Sequence, residues 1–347
     1  LAGLSMEEEP RSRMVKTAGK FHDWSCGFGP FEEDDFNKAG DADWCLLVQN
    51  VEQFHPDTAS LLQHFNFAPR WLMDDVMVSY SATGGSVGPH IDSYHVFLVQ
   101  GEGKRRWKVS NAPITDETYI EGLELKVLDC QIEGDEIEVT SGDVLYLSPN
   151  FAHEGTTLDP ALTFSVGFLG PKMSELFSGF AKYIGEIEDL DTRYVGAGLG
   201  LDSSGFEISN GAVDYLKTRL EDYLGSKLFT QWLVEFFTES SHEDLSYYST
   251  REDVLNAEEF DIELHQGASL IKPEYVKFAI TTFENGGFCL GFDNHSFGVN
   301  EAAFPVLQTL MKEQPVDLAT YPNVLDQIET RKLVIELYNH GALEFTS

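Results

Sequence analysis

The chain has 347 residues, enough for one large domain and one or two smaller ones around a substantial core. Hydrophobic residues make up 42%, as in globular proteins, and no apolar run reaches the ~20 residues of a helical membrane span. Asp and Glu total 58 against 23 Lys and Arg, a net charge of −35, which repels nucleic acid and anionic membranes and attracts basic proteins or cations.

The first ten residues, LAGLSMEEEP, carry neither a starting Met nor the apolar core of a signal peptide, so residues upstream are expected. Cys26, Cys45, Cys130 and Cys289 are widely spaced and form no CxxC pair, which points to a reducing, cytoplasmic setting. Residues 40 to 170 read mostly as short strands, with WCLLVQNV the first of them. DVMVSYSA, YHVFLVQG, RRWKV, DVLYLSP and LTFSVGFLG follow, separated by Gly, Pro, Asn and Asp. FHPDTASLLQHFNFAP interrupts them with a helical pattern and Asp57 or Thr58 as the expected N-cap. Many short strands with turn signals argue for a sandwich or a barrel.

After Pro171 the texture changes. MSELFSGFAKYIGEIEDL has apolar residues at helical spacing, VGAGLGLDSSG is a Gly-rich break, and GAVDYLKTRLEDYLG and KLFTQWLVEFFTES are helical again. Phe229, Trp232, Leu233, Phe236 and Phe237 form an aromatic stripe that reads either as core or as a dimer face. From about residue 264 a small α+β unit follows, with short strands in YVKFAITTF, GFCLGFDN and HSFGVN and helices in AAFPVLQTLMKE and RKLVIELYNHGALEF. That pattern suggests a winged helix. Its five Lys and Arg against ten Asp and Glu suit a protein partner better than DNA.

The candidate chemistry begins at GPHID. On a strand, His90 and Asp92 project to one side about 6–7 Å apart and can converge on a cation. A lone His-x-Asp is weak. A further histidine, His153, closes SGDVLYLSPNFAHEG, and two His with one carboxylate form the facial set that suits iron(II). In GKRRWK, Arg105 and Trp107 share one face, and Lys104 and Arg106 the other. An arginine turned inward needs an anion such as a dicarboxylate, while an exposed edge strand with guarding charges is the plainer alternative.

Together these segments resemble the Jumonji C family of 2-oxoglutarate oxygenases, a mainly β double-stranded β-helix (cupin) fold, and within it the bacterial ribosomal oxygenase group. The resemblance is strong over residues 20 to 172 and rests on GPHIDSYHVFLVQGEGKRRWKV, SGDVLYLSPNFAHEG and LTFSVGF. It implies His90, Asp92 and His153 as iron(II) ligands, and Arg105 as the partner of the distal carboxylate of 2-oxoglutarate, with dioxygen as the other co-substrate. Thr163 stands where the group often has an Asn near the co-substrate, and Ser79 and Ser81 are further candidate contacts. Tyr94 shares the ligand face, His95 faces away, and the remaining histidines, His22 and His242 among them, are expected to be structural. The Gly-Gly of SATGGSVGPH is expected to form a mobile loop at the site entrance.

The group's layout implies a catalytic cupin over 1–172, a helical dimerisation segment over 173–262 and a winged-helix-like α+β domain over 263–347. The implied activity is hydroxylation of an arginine on large-subunit ribosomal protein sixteen by a cytoplasmic homodimer that binds neither membrane nor nucleic acid. Three rivals stand beside it: another Jumonji C hydroxylase or demethylase, a zinc or manganese cupin isomerase, and a ribosome-associated scaffold without turnover.

Overall fold

A nine-stranded antiparallel sheet builds the first of two units, Leu1–Gly170 and Pro171–Ser347, into which the computed structural model divides. The structure describes residues 1–17, 24–115, 117–195, 206–239, 254–265, 267–283, 286–317 and 327–346. The Gly-rich segment from 196 to 205, His22 and His242 lie outside the described residues. Among the described residues, no helix is long and apolar enough to cross a membrane.

The sheet strands are β1 (Ser12–Thr17), β2 (Trp24–Phe28), β3 (Trp44–Val48), β4 (Met73–Ser81), β5 (His90–Ile91), β6 (His95–Ser110), β7 (Gly134–Thr140), β8 (Val144–Leu147) and β9 (Ala152–Phe168). Their order is β2-β1-β3-β4-β9-β6-β7, with β5 paired to β9 and β8 to β6. This is the large antiparallel sheet expected of the cupin reading. The strands begin earlier than expected, because β1 and β2 precede WCLLVQNV. Charges interrupt the apolar alternation in SRMVKT, yet Met14 and Val15 are buried in it.

YHVFLVQG and RRWKV are one strand, not two. The register of β6 against β9 shifts at Gln100, Glu102 and Lys104, and Gly103 takes φ +70° there. A Cβ on Gly103 would meet the Pro160 carbonyl oxygen at 2.0 Å, so glycine permits the bulge and the strand continues through it. The helical stretch after β3 begins with His55 as N-cap and Pro56 in the first turn, not with Asp57 or Thr58. Proline suits that first position because its missing N–H has no partner to lose.

The central strands are buried on both faces. Trp44, Leu46 and Val48 of β3, Val76 and Val78 of β4, and Val166 and Phe168 of β9 share one core with Leu62 and Phe65. The alternate residues, Cys45, Leu47, Asp75, Met77, Ser79, Ser165 and Gly167, face a cavity instead. The period of two thus sorts each strand between core and site.

In the second unit, helices Met173–Gly185, Asn210–Leu224, Lys227–Thr238 and Ala257–His265 precede an antiparallel sheet of β11 (Ala279–Thr282), β12 (Phe288–Phe292) and β13 (His295–Val299). Helices Phe304–Met311 and Ile328–Asn339 follow, and β10 (Ser269–Ile271) pairs with β14 (Glu344–Thr346). The aromatic stripe is core: Trp232 packs on Phe180 and Phe236, each at 5.1 Å between ring centroids, and Val234 meets Ala279 and Cys289. Helix Asn210–Leu224 buries none of its residues and exposes Tyr215, Leu216, Leu220 and Leu224. Phe260 is fully buried among Leu270, Leu290, Leu307 and Leu337, so this core reaches back before residue 263.

Candidate active site

β5 is only two residues long, and it lays His90 directly opposite His153 on β9. Their rings stand 4.2 Å apart between centroids. Asp92 sits beyond the strand, in a bend where its backbone carbonyl accepts the Asn150 N–H at 2.7 Å. His90 and Asp92 do project together as expected, although the strand itself ends at Ile91. The ligating atoms of His90, Asp92 and His153 nevertheless fall within 4.8 Å of one another, with His153 Nε2 at 3.5 Å from Asp92 Oδ2.

The outer hydrogen bonds fix how the imidazoles face. His90 Nδ1 lies 2.9 Å from the Gly88 carbonyl oxygen and His153 Nδ1 lies 3.0 Å from that of Phe151. A carbonyl only accepts, so each Nδ1 carries its proton and each Nε2 presents a lone pair. Burial, and then the neighbouring His90, push the His153 pKa down to about 3, which keeps it neutral. Two neutral imidazole nitrogens and one carboxylate on one face fit a divalent metal of the iron(II) kind and leave part of its coordination sphere open.

The three groups border a cavity of about 370 Å³ whose wall also includes Arg105 and Trp107. Arg105 is 4% exposed, and Trp107 packs under its guanidinium at 4.6 Å. One Nη donates to Thr163 Oγ1 at 3.4 Å and the other to the Gly155 carbonyl at 3.2 Å, while Nε has no partner. Among the described residues no carboxylate pairs with it. Lys104 and Arg106, on the outward face of the same strand, both pair with Glu138. The edge-strand alternative therefore describes only that outer face.

Thr163 touches Arg105 and donates to Gln100 Oε1 at 3.2 Å, but it does not itself border the cavity. Ser79 borders it. Ser81 does not: its hydroxyl lies 2.9 Å from Cys45 Sγ and accepts from Thr157 Oγ1 at 2.6 Å. Tyr94 borders the cavity, and burial, followed by Asp92, Asp75 and Asp74, raises its pKa. His95 stays outside, exposed and bonded at 2.7 Å to the Tyr146 hydroxyl. The Gly-Gly loop is not a free entrance flap. Gly84 N–H donates to the Thr157 carbonyl at 2.8 Å, Thr157 N–H donates to Gly85 at 3.0 Å, and a Cβ on Gly85 would meet the Trp44 carbonyl oxygen at 2.4 Å.

An acidic wall escaped the sequence reading. Asp74 and Asp75 border the cavity beside Arg13, Met77 and Tyr94. Burial, then Glu52 and Asp74, push the Asp75 pKa up to about 8. Glu52 lies behind it, holds the Val76 N–H at 2.9 Å, and is itself pushed up to about 7 by burial. The signal was the alternation Asp75, Met77, Ser79, whose polar members share one face of a strand that buries Val76 and Val78 on the other.

Comparison with known proteins identifies relatives of the chain as a whole. The JmjC domain matches residues 60–176. The Escherichia coli K12 ribosomal protein uL16 3-hydroxylase is 37% identical over 252 residues, spanning 70% of this chain and 64% of that protein. A probable ribosomal oxygenase of Haemophilus influenzae is 40% identical over 181 residues, 52% of this chain and 44% of that one. The matches thus span less than two thirds of these relatives' lengths. The crystal structure of E. coli YcfD superposes with a TM-score of 0.86 at 30% identity, over 99% of this chain and 89% of that chain. The same ribosomal oxygenase solved with cobalt and 2-oxoglutarate gives 0.83 at 29% identity, over 100% of this chain and 89% of that chain. By sequence and by fold, the chain belongs to the JmjC-domain family that includes the E. coli ribosomal oxygenase YcfD.

Proposed function

We propose that this chain is an iron(II)- and 2-oxoglutarate-dependent protein hydroxylase that oxidises an arginine side chain of a basic large-subunit ribosomal protein. The observation that carries this reading is a facial His-Asp-His set sharing one cavity with a buried arginine that has no counter-ion among the described residues. Bound iron(II) would supply dioxygen activation driven by oxidative decarboxylation of 2-oxoglutarate to succinate.

His90 and His153 offer Nε2 and Asp92 offers a carboxylate oxygen. Arg105 holds the distal carboxylate of the co-substrate through its guanidinium, the geometry that such forks match best. Thr163 and Gly155 hold the guanidinium from behind. Leu47, Met77, Val96 and Leu98 keep the space between apolar and exclude water. Asp74 and Asp75 border the space the substrate guanidinium enters, where its charge would draw the proton off Asp75, and Tyr94 forms the adjoining wall. Charge pairing in so confined a place aims one carbon–hydrogen bond at the metal. The net charge of −35 speeds encounter with a basic protein.

The remaining assignments follow the same reading. Residues 1–172 are catalytic, the helices of 173–262 join two copies through the exposed apolar face of Asn210–Leu224, and 263–347 form a winged-helix-like unit for protein contacts. The setting is the cytoplasm. Incubation with iron(II), 2-oxoglutarate and an arginine-bearing peptide of a large-subunit ribosomal protein is expected to add one oxygen atom to the peptide and release succinate. An unchanged peptide mass beside an active control enzyme would overturn the proposal.

A further inference from the structure

One side chain of the cavity has no part in the chemistry above. Cys45 is 1% exposed and borders the same cavity as Arg105. Its place is fixed from three strands. Cys45 stands opposite Ser81 in the β3–β4 register, and Thr157 stands opposite Arg105 in the β9–β6 register. Cys45 Sγ lies 2.9 Å from Ser81 Oγ, which accepts from Thr157 Oγ1 at 2.6 Å. This chain of bonds places the sulfur at the Arg105 end.

The thiol does not neutralise Arg105. Burial pushes its pKa up, against the smaller opposing pull of Arg105 and Ser81, so the group remains an uncharged S–H. Arg105 keeps its charge, and its Nε has no partner. What the sulfur contributes is volume, packed with Val15 and Leu47 against Met77 and Val87. His90, His153 and Arg105 are all held by sheet strands, so the span between the ligand histidines and the guanidinium is set by the fold. A longer dicarboxylate held by the same guanidinium would need extra room at that end of the cavity, which the sulfur takes up.

We infer that Cys45 is a specificity-determining residue that limits the length of the keto-dicarboxylate this cavity accepts. The inference rests on the co-substrate reading of Arg105 given above. One methylene in an apolar pocket changes binding by roughly 10- to 200-fold, so removing the sulfur is enough to relax such a limit.

The test is calorimetric titration of 2-oxoglutarate and of 2-oxoadipate, one methylene longer, into the full cobalt(II)-loaded chain. Wild type is expected to prefer 2-oxoglutarate by at least about tenfold. Cys45→Ala is expected to narrow that preference by about tenfold or more, while Cys45→Ser, of similar size, retains it. Cys45→Val adds bulk at the same place and is expected to weaken 2-oxoglutarate by about tenfold. An unchanged preference in Cys45→Ala, or unweakened 2-oxoglutarate binding in a folded Cys45→Val, overturns the inference while leaving the co-substrate reading intact. Failure of wild type to bind either acid overturns both.

Discussion

Among the described residues two cations are buried, one in each unit, and they are treated differently. Lys272 donates to the carbonyls of Pro273 and Val276 at 2.8 and 2.9 Å and pairs with Glu313 at 3.3 Å, both side chains nearly inaccessible. Arg105 receives one hydroxyl, one carbonyl and an aromatic face, and no anion among the described residues. A buried charge is costly unless paired. The paired cation therefore belongs to the scaffold, and the one left without an anion marks where an anionic ligand completes the structure. Asp75 is the mirror case, an acid held near cavity and core without a bonded cation among the described residues.

The largest expected effect strikes the site that makes Arg105 useful. His153→Ala removes one of three ligands, and metal affinity measured by titration with cobalt(II) is expected to fall by more than about 100-fold, taking turnover with it. Retained metal and turnover would detach the triad from the cavity's chemistry. Next comes the comparison of the cations. Lys272→Met removes the cation paired with the buried Glu313 carboxylate and is expected to cost about 3–5 kcal/mol of unfolding free energy in denaturant titration. Arg105→Met strands nothing charged and is expected to leave stability within about 1 kcal/mol of wild type or to raise it. Equal losses in the two variants would erase the distinction.

The smallest effect concerns the mirror acid. Asp75 and Glu52 titrate at about 8 and about 7 in the folded chain. Both would titrate near about 4 unfolded. The folded state therefore binds more protons between those values, so their share of stability is complete below about pH 4 and is lost as pH rises toward 8. Asp75→Asn is expected to flatten the decline of Tm between pH 5 and pH 8 by a few degrees. An unchanged slope would mean that Asp75 is not held protonated.

The architecture was legible where signals are local. Gly and Pro punctuation located most strands, and helical spacing located Met173–Gly185 and its successors. The alternation in GKRRWK put Arg105 and Trp107 on one face, and both are buried. What stayed hidden depends on pairing across long separations. Cys45, Asp75 and Ser165 lie far apart in sequence and border one cavity only because β3, β4 and β9 are neighbours in the sheet. The long strand β6 read as fragments because Gly101 and Gly103, which make the bulge, look like turn signals, and β9 did so because of its Gly155 and Asp159-Pro160. Ser81 was on the right strand, but its direction is set by bonds to Cys45 and Thr157 that no spacing announces.

The central claim is that the unfilled charge of Arg105 holds the co-substrate. It is tested most directly by the rise in Tm that 2-oxoglutarate produces in the cobalt(II)-loaded chain, wild type against Arg105→Met. The account predicts a clear rise for wild type and almost none for the variant, at equal or higher Tm without ligand. The same rise in both proteins would contradict it.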